Sequence, residues 1–104
     1  MEDEKLVIST TGSKEEASRI ARALVEERLA ACVNIVGPIE SVYRWQGKVE
    51  SAPEFLMLVK TVSAKSETVI CRIRELHSYD LPEAIEVNID GGSQEYLKWI
   101  AESV

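Results

Sequence analysis

The sequence has few of the residues on which enzymes and metalloproteins depend: its 104 residues include one histidine and two cysteines. It lacks GxSxG, GxGxxG and Walker-type loops, and no apolar run approaches the roughly 20 residues of a membrane span. The net charge of −6 argues against binding to nucleic acid or to an anionic membrane. We find no catalytic or cofactor-binding motif and expect a protein that is not an enzyme.

The length of 104 residues predicts a single domain, residues 1–104, with one hydrophobic core. Residues 1–5 lack the basic and apolar segments of a secretion signal, so we expect a cytoplasmic protein. Cys32 and Cys71 lie in predicted regular elements without CxxC spacing, which favours two buried free thiols over a disulfide.

The most distinctive segment is residues 32–61, where two runs rich in β-branched residues flank Gln46-Gly47-Lys48. Gly47 can adopt the positive φ of a tight turn, so the segment predicts a long β-hairpin. Pro38 and Pro53 cannot donate to a ladder and predict a bulge or an edge position. The apolar residues 55–59 predict a central strand that is buried on both faces.

Each arm of this hairpin can span roughly ten residues, which exceeds the usual five or six. Such a hairpin should extend beyond a small domain. Its strand edges, and the face that carries Tyr43 and Trp45, would then be exposed to solvent unless another part of the protein packs against them. We therefore expect the hairpin to join subunits.

The remaining segments alternate between strands and helices. Strands are predicted over residues 5–11 and 85–89, the second with the alternation of a half-buried strand. Predicted helix N-caps are Ser13, with Glu16 in a capping box, then Ser63 or Ser66, and Ser93. The order β-α-β-β-α-β-α predicts an α+β fold. It is the ferredoxin-like split β-α-β sandwich with a long β2–β3 hairpin and an added C-terminal helix.

Two residues are candidate metal ligands. His77 lies near the end of the second helix, where an imidazolium caps a helix favourably, and the alternative role is a metal ligand. Cys32 opens a predicted strand, where a packed thiol is favoured over a metal or redox role.

A looser group of polar and aromatic residues has two interpretations. They form surface salt bridges and aromatic interface contacts, or they line a small-molecule cleft. The group consists of Tyr43, Trp45, Glu50, Glu54, Lys60 and Tyr79.

Five motifs, in order along the chain, resemble those of the CutA divalent-cation tolerance proteins. They are Ala-Ala-Cys-Val-Asn-Ile at 30–35, Tyr-Arg-Trp-Gln-Gly at 43–47, Val-Lys-Thr at 59–61, His-Ser-Tyr-Asp-Leu-Pro-Glu at 77–83 and Tyr-Leu-Lys-Trp-Ile at 96–100. The resemblance implies a homotrimer with hairpins packed across subunits, and association with copper or another divalent cation. The implied trimer is similar to that of the PII signalling proteins. The alternative function is therefore a signalling or small-ligand module with an intersubunit cleft, lined by Trp45, Glu54, Lys60 and Tyr79.

The sequence departs from this family at the copper site. Members with a described site have a cysteine on the first strand and two adjacent histidines before the following loop. The matching positions here are Ser9, Leu76 and His77, of which only His77 is kept. Serine and leucine are poor copper ligands. Cys32 matches the family's cysteine on the second strand and remains the other candidate ligand.

Overall fold

The computed structural model describes residues 3–104. Its elements follow the predicted order: β1 (Glu4–Thr11), α1 (Lys14–Glu26), β2 (Cys32–Trp45), β3 (Lys48–Val62), α2 (Ser63–Leu76), β4 (Ile85–Asn88) and α3 (Gln94–Glu102). The strands form one antiparallel sheet in the order β2-β3-β1-β4. This is the predicted ferredoxin-like α+β fold with a C-terminal helix added. None of the helices within 3–104 has the length and apolarity needed to cross a lipid bilayer.

One face of the sheet packs against α1 and α2 and holds the core. Alternate residues of β1 and β3 point toward these helices because strand side chains alternate between faces. Burial of each such side chain contributes about 1.5–3 kcal/mol. The fully buried core residues include Val7, Ile20, Leu24, Met57, Val59, Val69 and Ile73. This core fixes the base of the hairpin on the two helices.

The opposite face of the sheet, called here the open face, is also apolar. The strand pairing places these apolar residues on that face: Leu6, Ile8, Val36, Leu56, Leu58, Ile85 and Val87. The helix α3 contacts β1 and β3, and the Nζ atom of Lys60 lies 5.7 Å from the centre of the Tyr96 ring.

Two predictions of side-chain burial are wrong for the single chain that the structure describes. The side chains of Ile85 and Val87 are 51% and 41% exposed, so β4 is not half-buried. In residues 55–59, Met57 and Val59 are buried whereas Leu56 and Leu58 are only partly buried. The physical reason is that both helices of the core, α1 and α2, cover the same side of the sheet.

The hairpin is longer than predicted, with 14 residues in β2 and 15 in β3. Gln46 and Gly47 form its turn with φ of 50° and 80°, which is typical of the two-residue turns that match strand twist. Pro38 lies in a bulge between β2 and β3, as predicted. Because β1 ends opposite Phe55, residues 38–54 have no third strand beside them. These residues, called the distal hairpin, extend beyond the domain.

Two of the predicted N-cap residues are confirmed, but the capping box of Ser13 with Glu16 is not, because the Glu16 carboxylate accepts hydrogen bonds from Ser78 and not from the Ser13 amide. The Ser13 hydroxyl accepts a hydrogen bond from the Glu16 amide at 3.1 Å, and the Ser93 hydroxyl accepts one from the Tyr96 amide at 3.3 Å. These bonds satisfy amide donors in the first turns of α1 and α3.

The predicted capping of α2 by Ser63 or Ser66 is wrong. Val62 is the N-cap residue and offers no side-chain hydrogen bond. Strand β3 continues to Val62, and the Ser63 amide donates to the Asp3 carbonyl at 2.7 Å. The helix therefore begins directly at the end of the strand.

Ser9 carries a buried polar atom that the fold does not use. Its side chain is 0% exposed, and its hydroxyl has no hydrogen-bond partner within residues 3–104. We expect Ser9→Ala to raise the free energy of unfolding by about 1 kcal/mol, because an unpaired buried polar group is destabilising. Urea denaturation at fixed protein concentration measures this change.

Thr61→Val is the matched control for this substitution. Thr61 is equally buried, but its hydroxyl donates to the Leu29 carbonyl at 2.6 Å. We expect this variant to lose about 1 kcal/mol of stability. A Ser9→Ala variant that is less stable than the unchanged protein would contradict the prediction.

Candidate functional site

A cavity of about 580 Å³ lies between the distal hairpin and the loop that follows α2. Its volume is in the range of about 300–1,000 Å³ that is usual for small-molecule sites. We call it the hairpin cavity. It is lined by Thr10, Ser41, Val42, Tyr43, Trp45, Glu54, Tyr79, Asp80, Leu81 and Glu83.

Strand geometry places the cavity on the open-face side of the hairpin. Ser41, Tyr43 and Trp45 alternate along β2 and therefore share one face. Glu54 lies opposite Ile39 across the hairpin and extends the same face along β3. Because β1 stops before this point, the space beside Glu54 is not filled by a strand.

The central contact of the cavity joins Glu54 and Tyr79. The Tyr79 hydroxyl donates to the Glu54 Oε2 atom at 2.8 Å. Burial of the ring, followed by the hydrogen bond and charge of Glu54, raises the pKa of Tyr79 to about 12. The phenol therefore keeps its proton at neutral pH and remains a donor. Glu54 is only 9% exposed, and its Oε1 atom has no hydrogen-bond partner among residues 3–104.

The loop wall of the cavity is tied to β1 and α1. The buried ring of His77 donates from Nε2 to the Thr10 carbonyl at 2.7 Å and accepts the Tyr79 amide at Nδ1, at 3.1 Å. The acceptor role of Nδ1 places the ring proton on Nε2. The Ser78 amide and hydroxyl both donate to the Glu16 carboxylate, at 2.7 and 3.0 Å. Glu16 thus holds the loop.

His77 and Cys32, the two candidate metal ligands, are far apart in one protomer. His77 bonds to the Thr10 carbonyl of β1, whereas Cys32 pairs across the sheet with Lys60, which pairs with Leu6 of β1. Thr10 and Leu6 are four residues apart along β1, which is a distance of about 13 Å. Both His77 nitrogens are engaged, and residues 3–104 contain no cluster of three His, Cys, Asp or Glu that could hold a metal ion. The described residues of one chain therefore do not fit a copper ion.

The two cysteines are free thiols. Cys32 is partly buried, but Cys71 is exposed. The predicted burial of Cys71 is wrong because this residue lies on the solvent side of α2.

The structure brings together Trp45, Glu54 and Tyr79 of the predicted ligand cleft, but not Lys60. The Lys60 ammonium donates to the Asn34 Oδ1 atom at 2.6 Å, near the other end of β3. Four further polar residues of the cavity were not among the ligand residues predicted from sequence. They are Thr10, Ser41, Asp80 and Glu83, of which Thr10 donates to the Glu83 Oε1 atom at 3.5 Å. The two acidic residues, Asp80 and Glu83, flank Leu81-Pro82 in the loop after His77, and their sequence signal was their place in the motif at residues 77–83.

Comparison with known proteins gives one family. Residues 5–103 match the model described as CutA1 divalent ion tolerance protein. The divalent-cation tolerance protein CutA of Thermus thermophilus is 48% identical over 100 residues, which cover 96% of this chain and 97% of that protein. The crystal structure of CutA from Xylella fastidiosa superposes with a TM-score of 0.95 at 44% identity and covers 97% of both chains. A structure from Archaeoglobus fulgidus, described as a periplasmic divalent cation tolerance protein, has a TM-score of 0.93 at 45% identity, over 96% of this chain and 97% of that one. The chain therefore belongs to the CutA1 divalent ion tolerance protein family.

Proposed function

We propose that this chain serves divalent-cation tolerance as a homotrimeric binding protein, which holds a small molecule in the hairpin cavity, as a PII-like signalling module would. The cavity is the observation that carries the proposal. Small-molecule sites combine apolar walls with a few well-placed polar groups. Here Tyr43, Trp45 and Tyr79 supply aromatic walls, and Glu54 supplies a buried carboxylate with one free oxygen.

The side chains of the cavity favour binding over catalysis. A nucleophile needs an adjacent base, and a general base must reach the proton that it removes. The imidazole of His77 has both nitrogens in structural hydrogen bonds. Tyr79 keeps its proton because its pKa is about 12. We therefore propose a protein without enzymatic activity.

Three features of the protomer support the homotrimer. The open face is apolar and partly exposed, the distal hairpin has no neighbouring strand, and β2 and β4 are edge strands. Exposed apolar strands with open edges favour association. Further copies of the same chain would cover these surfaces, and the threefold arrangement is the one that the family resemblance implies.

Binding of copper or another divalent cation is the second candidate function. The description of the family, divalent ion tolerance, is the observation that favours it. The ligands of such a site would have to come from more than one subunit, because His77 and Cys32 lie at opposite ends of β1 and its neighbours.

We propose the cytoplasm as the compartment of this protein. Its two free thiols, one of them exposed at Cys71, fit a reducing environment. The Archaeoglobus fulgidus relative is described as periplasmic, so the location needs its own measurement. Cell fractionation should find the protein in the cytoplasmic fraction, and recovery from the periplasm would contradict this proposal.

A thermal-shift screen with cationic, neutral and anionic small molecules tests ligand binding. At least one compound is expected to raise the Tm, because a ligand at 100 times its Kd adds about 2.7 kcal/mol of stability. Trp45→Ala should remove this response, since an aromatic wall of the cavity is lost. Trp99→Ala is the matched control, because Trp99 is 44% exposed against 45% for Trp45 and lies on α3, outside the cavity. A screen without any stabilising compound at millimolar concentration would contradict the proposal.

A further inference from the structure

We draw no further inference here: the strongest candidate, the surface cleft between the end of α2 and the loop that follows it, where the exposed Cys71 lines the wall together with Arg74 and Asp80, rests on a lone cysteine, and no other feature of the described residues points to a ligand there.

Discussion

Replacement of Val87 by aspartate is expected to convert the proposed trimer, whose mass would be about 35 kDa or three times the 11.6 kDa of one chain, into monomers. Val87 lies on the open face in the edge strand β4 and is 41% exposed in one protomer. If the open faces pack together, a carboxylate there loses its hydration without a cationic partner. That penalty is several kcal/mol per ion, and a trimer contains it three times. Analytical ultracentrifugation measures the change in mass.

Thr68→Asp is the matched control, because threonine and valine have nearly the same shape. Thr68 is exposed on α2, away from the open face, so this variant should remain trimeric. Both variants should keep the circular dichroism spectrum of the unchanged protein, since neither side chain belongs to the core. A monomeric mass for the unchanged protein, or a trimeric Val87→Asp variant, would show that the open face is not the interface.

Replacement of His77 by alanine is expected to lower the free energy of unfolding by about 2–4 kcal/mol, because two backbone groups lose their hydrogen-bond partner and the buried ring leaves a cavity. These groups are the Thr10 carbonyl and the Tyr79 amide, and the imidazole between them is fully buried. Urea denaturation followed by tryptophan fluorescence measures the loss. It should be done at one protein concentration, because subunit association in the proposed trimer would contribute to stability. His77→Gln should recover part of it, since an amide side chain can replace one of the two bonds.

The same His77→Ala variant separates a structural histidine from a metal ligand. Calorimetric titration with Cu(II), and with Cu(I) under anaerobic conditions, should give the same heats for variant and unchanged protein. This result is expected because neither ring nitrogen has a free lone pair in the structure. Copper binding that disappears in the variant would instead establish His77 as a ligand and would favour the second candidate function.

The hairpin was the part of the fold that sequence predicted best, because its signals are local. Gly47 permits the turn, and Pro38 marks the bulge. The burial of β4 was mispredicted for a physical reason. Alternation shows that Ile85 and Val87 share one side, but it does not show whether the same chain covers that side.

Sequence patterns were equally unable to predict the positions of individual residues in the site. The sequence placed Glu54 and Lys60 in one intersubunit cleft, and within one chain both lie on the open face. Six residues along a strand span about 20 Å, so the Lys60 of the same chain lies outside the cavity. The role of His77 was undecided because imidazole can donate, accept or bind a metal. The positions of the Thr10 carbonyl and the Tyr79 amide, which only the folded chain shows, favour the donor and acceptor roles.

The loop after α2 has a kinetic consequence. Its three consecutive residues His77, Ser78 and Tyr79 bond to three different elements, at Thr10, Glu16 and Glu54. The wall of the cavity is therefore rigid before any ligand arrives, and little conformational entropy is lost on binding. Association should then be a single bimolecular step, whose observed rate rises linearly with ligand concentration. Differences in affinity between related ligands should appear chiefly in how long each remains bound.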